Sequence, residues 1–454
     1  MKDNSFINID DIINIDIKKI GINGEGIGYY NKLAIFVDNA LPNENIDVKI
    51  TNIFENRAIG EVVEIKKESE DRVEPFCPKY HECGGCQLQH LKYEKTLKYK
   101  RDILIESLNK YYDKNLKQGL VKKVIKSPNI YNYRNKANLP VQFVRGKNQV
   151  GIYKRGTNHF VCLENCPIQM ESLNEVLKTI TSMMNKYKVD GYNPKTKKGF
   201  VKALSVRCNE DETEIQVSFI MFKKSLYINQ LSKELVRLDK RIKSVFVSYN
   251  EKPKEQSFFT EKIEKIYGED TINIKMDNKQ FKLKPDAFFQ LNYLQANKFY
   301  NIIKDLSDLK GKETIIDAYA GAATISHYLA HKAKKIYAIE LDKASVESGK
   351  ISLFNNNIDN VNIIQGDFIK ALSGLKKMDI DLMVFDPPRT GLEKNTLEKL
   401  KQYHINRIVY GSCNQVTLAK DLSDLEDYQV MAILPLDMFP WTSLVEIAVL
   451  LKQK

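Results

Sequence analysis

Two residues late in the chain have the types and settings that covalent chemistry requires. Cys413 stands in Val409-Tyr410-Gly411-Ser412-Cys413-Asn414, where an apolar strand meets a turn and then a helix expected over Val416–Ser423. A thiol at the carboxyl end of a strand that opens a helix is expected in a positive field, which lowers its pKa and makes it a nucleophile. The competing reading is an inert core cysteine, a common fate of this residue type. Gly411 and Asn414 beside it argue for exposure. Glu446 lies between Val445 and Ile447-Ala448-Val449, a carboxylate inside an otherwise apolar strand. Ionising it there is costly, so it reads as a base kept for use. Asp386 opens Asp386-Pro387-Pro388-Arg389, whose prolines stiffen the loop and remove two amides, giving a rigid edge beside the reacting atoms.

A nucleoside site precedes these residues. Ile315-Ile316-Asp317-Ala318-Tyr319-Ala320-Gly321-Ala322-Ala323-Thr324 ends a strand and opens a helix. Strand ends and helix N-termini form the ligand crevice of open α/β sheets. Glu340 ends the next strand, placed to accept both ribose hydroxyls, and Asp367 ends the third, placed for an adenine. A pyrophosphate cofactor would want the fuller glycine fingerprint, which is missing, so an adenosyl group fits better.

Seven cysteines are present, an odd number with no signal-peptide pattern before them, which argues against a disulfide framework. Cys77-Pro-Lys-Tyr-His-Glu-Cys83-Gly-Gly-Cys86 gathers three thiols, and Gly84 and Gly85 let the backbone fold tightly around a bound centre. Cys166, followed by Pro167, supplies a fourth thiol, with Cys162 as a rival. Four thiolates suit a 4Fe-4S cubane or zinc. Structural zinc usually takes two short pairs, so this uneven spacing favours the iron–sulfur cluster.

The elements that must position these groups follow from the pattern. Short strands broken by Gly21, Gly24, Gly26 and Gly28 over about residues 7–66 suggest a small OB-like barrel. Helical spacing covers Tyr93–Tyr112. Strands with helices at Met170–Lys188 and Lys224–Asp239 fill the middle of the chain. After a helix over Asn292–Leu309, strands alternate with helices: Thr314–Tyr319, Lys335–Ile339, Asn362–Gln365, Leu382–Phe385, Arg407–Tyr410, Val430–Leu434 and Leu444–Leu450. Such alternation implies an α/β fold with a doubly wound parallel sheet. The expected units are a barrel over 1–68, a central α+β unit over 69–92 and 121–283, and a Rossmann-like unit over 93–120 and 284–454.

Charge points to an anionic partner. The chain carries a net charge of +12, a weak signal alone. From Lys114 to Leu163 there are eleven basic residues and no acidic one, interleaved with Tyr131, Tyr133, Phe143, Tyr153 and Phe160. Cations for phosphates and rings for bases make a single-stranded RNA surface, although a solvated basic sheet face has the same composition. No apolar run reaches membrane-spanning length, so a cytoplasmic protein is expected.

Taken in order, these motifs resemble the TRAM-domain iron–sulfur RNA uracil-5-methyltransferases, the RumA/RlmCD group of class I S-adenosylmethionine-dependent enzymes that act on large-subunit ribosomal RNA. The resemblance spans essentially the whole chain. It implies that Cys77, Cys83, Cys86 and Cys166 hold a 4Fe-4S cluster. Pro285-Asp286-Ala287-Phe288-Phe289-Gln290-Leu291-Asn292 is similar to the family's Phe-x-Gln-x-Asn motif, which implies cofactor contact by Gln290 and a base pocket lined by Phe288. Tyr319, Gly321, Glu340, Asp367 and Asp386 fall where the family binds S-adenosylmethionine, and Arg134 and Lys136 are expected on the RNA side. Cys413 becomes the nucleophile that adds to uracil carbon 6, Glu446 the base that removes the carbon 5 proton, and the target uridine is flipped out to reach them. A monomer is expected.

Two departures stand out. The cofactor turn reads Ala320-Gly321-Ala322-Ala323 where the family has Cys-Gly-x-Gly, and the Ala323 methyl is expected to crowd the cofactor. Trp441, the only Trp, stands where the family has His before the base strand. The alternatives to an active ribosomal RNA enzyme are a catalytically weakened RNA-binding paralogue, or a transfer RNA uracil-5-methyltransferase. The latter ranks low at this point because the related single-domain enzymes lack the barrel and cysteine segment.

Overall fold

A computed structural model of the chain describes residues 6–113, 116–252, 258–375, 378–403 and 405–454. Lys114 of the basic stretch lies outside them. The N-terminal strands β1 (Ile12–Ile20), β2 (Gly26–Tyr30), β3 (Leu33–Val37), β4 (Asn45–Phe54) and β5 (Arg57–Lys67) close a barrel in the order β1-β2-β3-β5-β4. Alternation drives it: Ile13, Ile15 and Ile17 point inward while their neighbours meet solvent. Gly60 is needed where strands cross, since a Cβ there would lie 2.2 Å from Val48 Cγ1.

Helix α1 (Tyr93–Tyr111) follows the cysteine segment and buries Leu104 and Leu108 in the core of the C-terminal sheet. The central unit is a seven-stranded sheet. Its elements are β6 (Lys136–Val144), β7 (Lys147–Tyr153), β8 (Phe160–Cys162), α2 (Glu171–Lys186), β9 (Val201–Cys208), β10 (Ile215–Met221), α3 (Ile228–Leu238), β11 (Ile242–Tyr249) and β12 (Ile263–Gly268). The order is β12-β11-β10-β9-β6-β7-β8, with β10 and β11 parallel and the other neighbours antiparallel. β10 is buried along its whole length.

A hairpin, β13 (Ile272–Met276) and β14 (Lys279–Leu283), leads into the last unit. There α4 (Tyr293–Ser307) precedes β15 (Thr314–Ala318), α5 (Thr324–Leu329), β16 (Lys335–Glu340), α6 (Lys343–Asn355), β17 (Val361–Gln365), α7 (Phe368–Gly374), β18 (Leu382–Phe385), α8 (Lys394–Leu400), β19 (Arg407–Ser412), α9 (Gln415–Asp424), β20 (Tyr428–Leu436) and β21 (Glu446–Gln453). The sheet order is β17-β16-β15-β18-β19-β21-β20. It departs from the expected all-parallel sheet: β21 runs antiparallel to both β19 and β20. The connection between β20 and β21 is too short for a crossover helix, so the chain must turn back on itself. Residues 121–125, expected in the central unit, instead run along β20 through bridges Val121–Ile433 and Ile125–Leu436. Among the described residues no helix is long and apolar enough to cross a membrane.

Candidate active site

The sheet reverses its winding between β15 and β18, and a crevice opens at the carboxyl ends of those strands. It holds a cavity of about 820 Å³, of the size that takes a nucleoside cofactor and a base together. Nine of the residues singled out from the sequence line it: Phe288, Gln290, Tyr319, Gly321, Glu340, Asp367, Asp386, Cys413 and Glu446.

The turn after β15 is held in uncommon backbone. Tyr319, Gly321 and Ala323 all have positive φ (59°, 56° and 55°). For Tyr and Ala this is a strained setting of the kind stored at functional sites. Glu340 is aimed by amides: its Oε2 accepts Gly321 N at 2.8 Å and its Oε1 accepts Asp342 N at 2.7 Å. Each oxygen keeps a second lone pair for a ligand hydroxyl. Asp367 caps α7 through Lys370 N at 3.0 Å, and Tyr319 packs on Phe368 with ring centroids 5.5 Å apart. Ala323 does not crowd the cavity. Its methyl is fully buried with Ala338, Val346, Leu353 and Ile363 beneath the turn, so the replacement of glycine strains the backbone and leaves the ligand space clear.

Cys413 and Glu446 meet because β19 and β21 are neighbours. The last register pair is Ser412 with Ile447, so the next residues outward are Cys413 and Glu446. Glu446 is buried at 2 % exposure, and its Oε1 has no hydrogen-bond partner among the described residues. Burial and the Asp386 carboxylate hold its carboxyl well above the usual range. Burial, then Glu446 and Asp386, push the Cys413 thiol up to about 11. This overturns the expected depression. Two of the free amides at the start of α9 are taken by Asn414, whose side chain accepts Val416 N at 3.0 Å and Thr417 N at 3.4 Å, and are not aimed at the thiol.

Asp317, in β15, lies buried behind the cavity wall rather than on it, and sequence reasoning passed over it. It is fully buried, accepts Ser326 N at 3.0 Å and Ser326 Oγ at 2.6 Å, and its Oδ1 has no partner among the described residues. Burial pushes it up to about 7, and burial, then the Asp317 charge, raise Asp386 likewise. Its signal was the one that marked Glu446, an acid inside an apolar strand. Gly411 makes room for this cluster, since a Cβ there would stand 3.2 Å from Asp386 Oδ1. Tyr300, Arg389 and Phe439 also line the cavity without having been singled out.

Arg134 and Lys136 are not brought to it. Lys136 is buried, donates to Pro285 O at 3.2 Å, and is held well below its usual pKa by burial and Arg207. With Arg207, which donates to Ala287 O at 2.5 Å, and Asn135, which donates to Gln290 O at 2.9 Å, it fixes the backbone of the Phe288–Gln290 motif. Arg134 donates to Lys136 O at 3.0 Å and faces the cysteine cavity.

That second cavity, about 100 Å³, is lined by Cys77, Cys83, Cys86 and Cys166 together. Cys162 is directed elsewhere, its thiol 2.6 Å from Gln149 Oε1. Gly85 N donates to Cys83 Sγ at 3.4 Å. Among the described residues no group of three or more His, Cys, Asp or Glu is arranged to grip a single metal ion.

Comparison with known proteins gives the family and the fold. The family described as tRNA (uracil-5-)-methyltransferase matches residues 92–454, and the TRAM domain matches residues 11–65. An uncharacterized RNA methyltransferase of Halalkalibacterium halodurans is 35% identical over 442 residues, 96% of this chain and 95% of that one. Another from Fusobacterium nucleatum is 34% identical over 456 residues, 99% and 98% of the two chains. Among solved structures, Pyrococcus abyssi tRNA (uracil-54, C5)-methyltransferase in complex with S-adenosyl-L-homocysteine shares the fold, with a TM-score of 0.77 at 24% identity over 97% of this chain and 100% of that one.

Proposed function

The chain belongs to the tRNA (uracil-5-)-methyltransferase family and is an S-adenosylmethionine-dependent RNA methyltransferase, and from that premise we propose that it methylates carbon 5 of a uridine by covalent catalysis. The observation that carries the mechanism is the register of β19 on β21, which makes Cys413 and Glu446 neighbours across the strands, both lining one cavity. S-adenosylmethionine supplies the methyl group and a positive sulfonium. The carboxyls of Asp386 and Glu446, both on the cavity wall, make surroundings that favour a cation there. Gln290, Tyr319, Gly321, Glu340, Asp367 and Asp386 hold the cofactor. Phe288, 64 % exposed at the rim, stacks on the extruded base.

The Cys413 thiolate adds to carbon 6, and the displaced pair makes an enolate whose carbon 5 takes the methyl group. Glu446 then removes the carbon 5 proton. The C5–H pair restores the C5=C6 bond, and the C6–S pair returns to Cys413. The four convergent thiols fit a 4Fe-4S cluster held by Cys77, Cys83, Cys86 and Cys166, which would tie the distant Cys166 to the N-terminal segment.

Large-subunit ribosomal RNA is the substrate supported by the resemblance of barrel and cysteine segment, with the protein acting as a cytoplasmic monomer. Transfer RNA is a second reading with its own support. The matching Pyrococcus protein acts on tRNA by name and shares the fold over nearly the whole chain, barrel included, which removes the reason for ranking tRNA low. Mapping 5-methyluridine in both RNAs from a deletion strain separates the two. The weakened-paralogue reading loses its motive, because Ala323 packs away from the cavity.

Cys413→Ala tests the assignment. Methyl transfer to RNA should fall more than about a thousandfold while RNA binding survives. Substantial turnover in that variant would overturn it.

A further inference from the structure

The connection between β20 and β21 forms one wall of the active-site cavity through Phe439, Leu444 and Val445, and ends on Glu446. Its other side is gripped at each residue from 437 to 441. Asp437 takes the Lys100 ammonium and, at 2.8 Å, the Tyr93 hydroxyl. Met438 O accepts Asn292 Nδ2 at 3.1 Å, and Phe439 O accepts Lys100 Nζ at 3.1 Å. Pro440 O accepts the Tyr133 hydroxyl at 3.1 Å. Trp441 O accepts Gln87 N and Leu88 N, at 3.0 and 2.9 Å, directly after Cys86. Trp441 Nε1 donates to Ile130 O at 2.8 Å.

The grip is tight by two further measures. Lys100 and Asp437 have no exposed side-chain surface, and a buried pair of this kind serves register more than net stability. Trp441 is held at φ 67°, a conformation that a bulky residue adopts only when its surroundings impose it. Cys413 is positioned separately, from α9, where Asn414 Nδ2 donates to Arg389 O at 2.9 Å.

Resting on the mechanism above, we propose that this clamp sets Glu446 against the substrate carbon, so that Lys100, Asp437, Tyr133 and Trp441 are positioning residues for one step, removal of the carbon 5 proton. Addition of Cys413 and methyl transfer do not depend on it. In that step the proton passes to the Glu446 carboxylate, the C5–H pair becomes the C5=C6 bond, and the C6–S pair leaves with Cys413. Loosening the clamp therefore stalls the enzyme after methylation, with RNA still attached.

The test uses the full chain with RNA and S-adenosylmethionine. Tyr133→Phe and Trp441→Phe each remove one hydrogen bond and keep an aromatic ring in place. The double variant should lose about tenfold in kcat, keep KM for RNA within about twofold, and accumulate a methylated covalent RNA adduct about tenfold above the unmodified protein on a denaturing gel. A fall in kcat without adduct, or unchanged kinetics in the folded variant, overturns the proposal. If the double variant fails to fold by circular dichroism, Tyr133→Phe alone decides on the same criteria. Glu446→Gln is run beside them. If it forms no adduct, the base assignment itself fails and the clamp's role falls with it; if it does and the clamp variants do not, only the clamp is wrong.

Discussion

Cys413 waits in the free protein as a protonated thiol. With its pKa near 11, about one molecule in a thousand carries the thiolate at pH 8. Alkylation of Cys413 by iodoacetamide, followed on its own peptide by mass spectrometry, should therefore rise about tenfold per pH unit between pH 7 and 10. Adding the cationic cofactor should move that profile to lower pH; a flat profile from pH 7 upward would contradict the account. Asp317 carries a second pH signature. Its folded pKa of about 7 is raised above the ordinary value, so its contribution to stability is full below about pH 4 and is lost as pH rises through about 7. Asp317→Asn should shrink the difference in Tm between pH 5 and pH 8, by the equivalent of about 3 kcal/mol at most. Residue types and strand ends were enough to pick out Cys413, Glu446, Glu340, Asp367 and Asp386, which line one cavity. The state of the thiol was not legible, because it depends on burial and on carboxyls that arrive from two other strands.

At the scale of elements, α1 is bolted to the last sheet by Lys100 and Asp437. Lys100→Met leaves the buried Asp437 carboxylate without its cation, with only the Tyr93 hydroxyl on it, and should destabilise by about 3–5 kcal/mol in urea unfolding. Lys100→Met with Asp437→Leu should recover much of that loss, whereas a double variant as unstable as the single would show that the pair itself holds the fold. The helices at 93, 171, 228, 293 and 415 were legible from apolar spacing to within a few residues at each end. The direction of β21 was not taken from the sequence, although one signal for it existed. The connection between the last two expected strands, Val430–Leu434 and Leu444–Leu450, is shorter than a parallel crossover needs, which forces an antiparallel return. Ala323 shows the opposite limit: a motif comparison gives the residue change but not which way its methyl points, and that depends on α6 and β17 packing beneath the turn.

At the scale of the whole molecule, the barrel is packed onto the units that follow it. The barrel seats Ile20 and Leu41 against Leu88, Leu91 and Ile103, and Glu44 binds Arg72 across the junction at 2.5 Å. Phe143, Arg145, Lys147, Tyr153, Lys154 and Arg155 are exposed on the neighbouring strands, and Arg155 reaches Asn23 O of the barrel at 3.3 Å. The basic stretch was legible as a region, but which cations stay free was not: Lys136 is absorbed by a backbone carbonyl. Arg145→Ala, Lys147→Ala and Lys154→Ala together should weaken RNA binding at least about tenfold and reduce its salt dependence by about two units of log–log slope. Cofactor affinity should be unchanged. Equal RNA affinity in the triple variant would place the contact elsewhere.

The central claim is that one sulfur and one carboxyl work on the same pyrimidine ring, the first forming the bond and the second allowing it to break. Glu446→Gln, mixed with RNA and S-adenosylmethionine and run on a denaturing gel, reads this directly. The expected result is a shifted protein–RNA band that carries the methyl group and vanishes when Cys413 is also replaced by Ala. Normal turnover in Glu446→Gln, or a band that persists without Cys413, would contradict it.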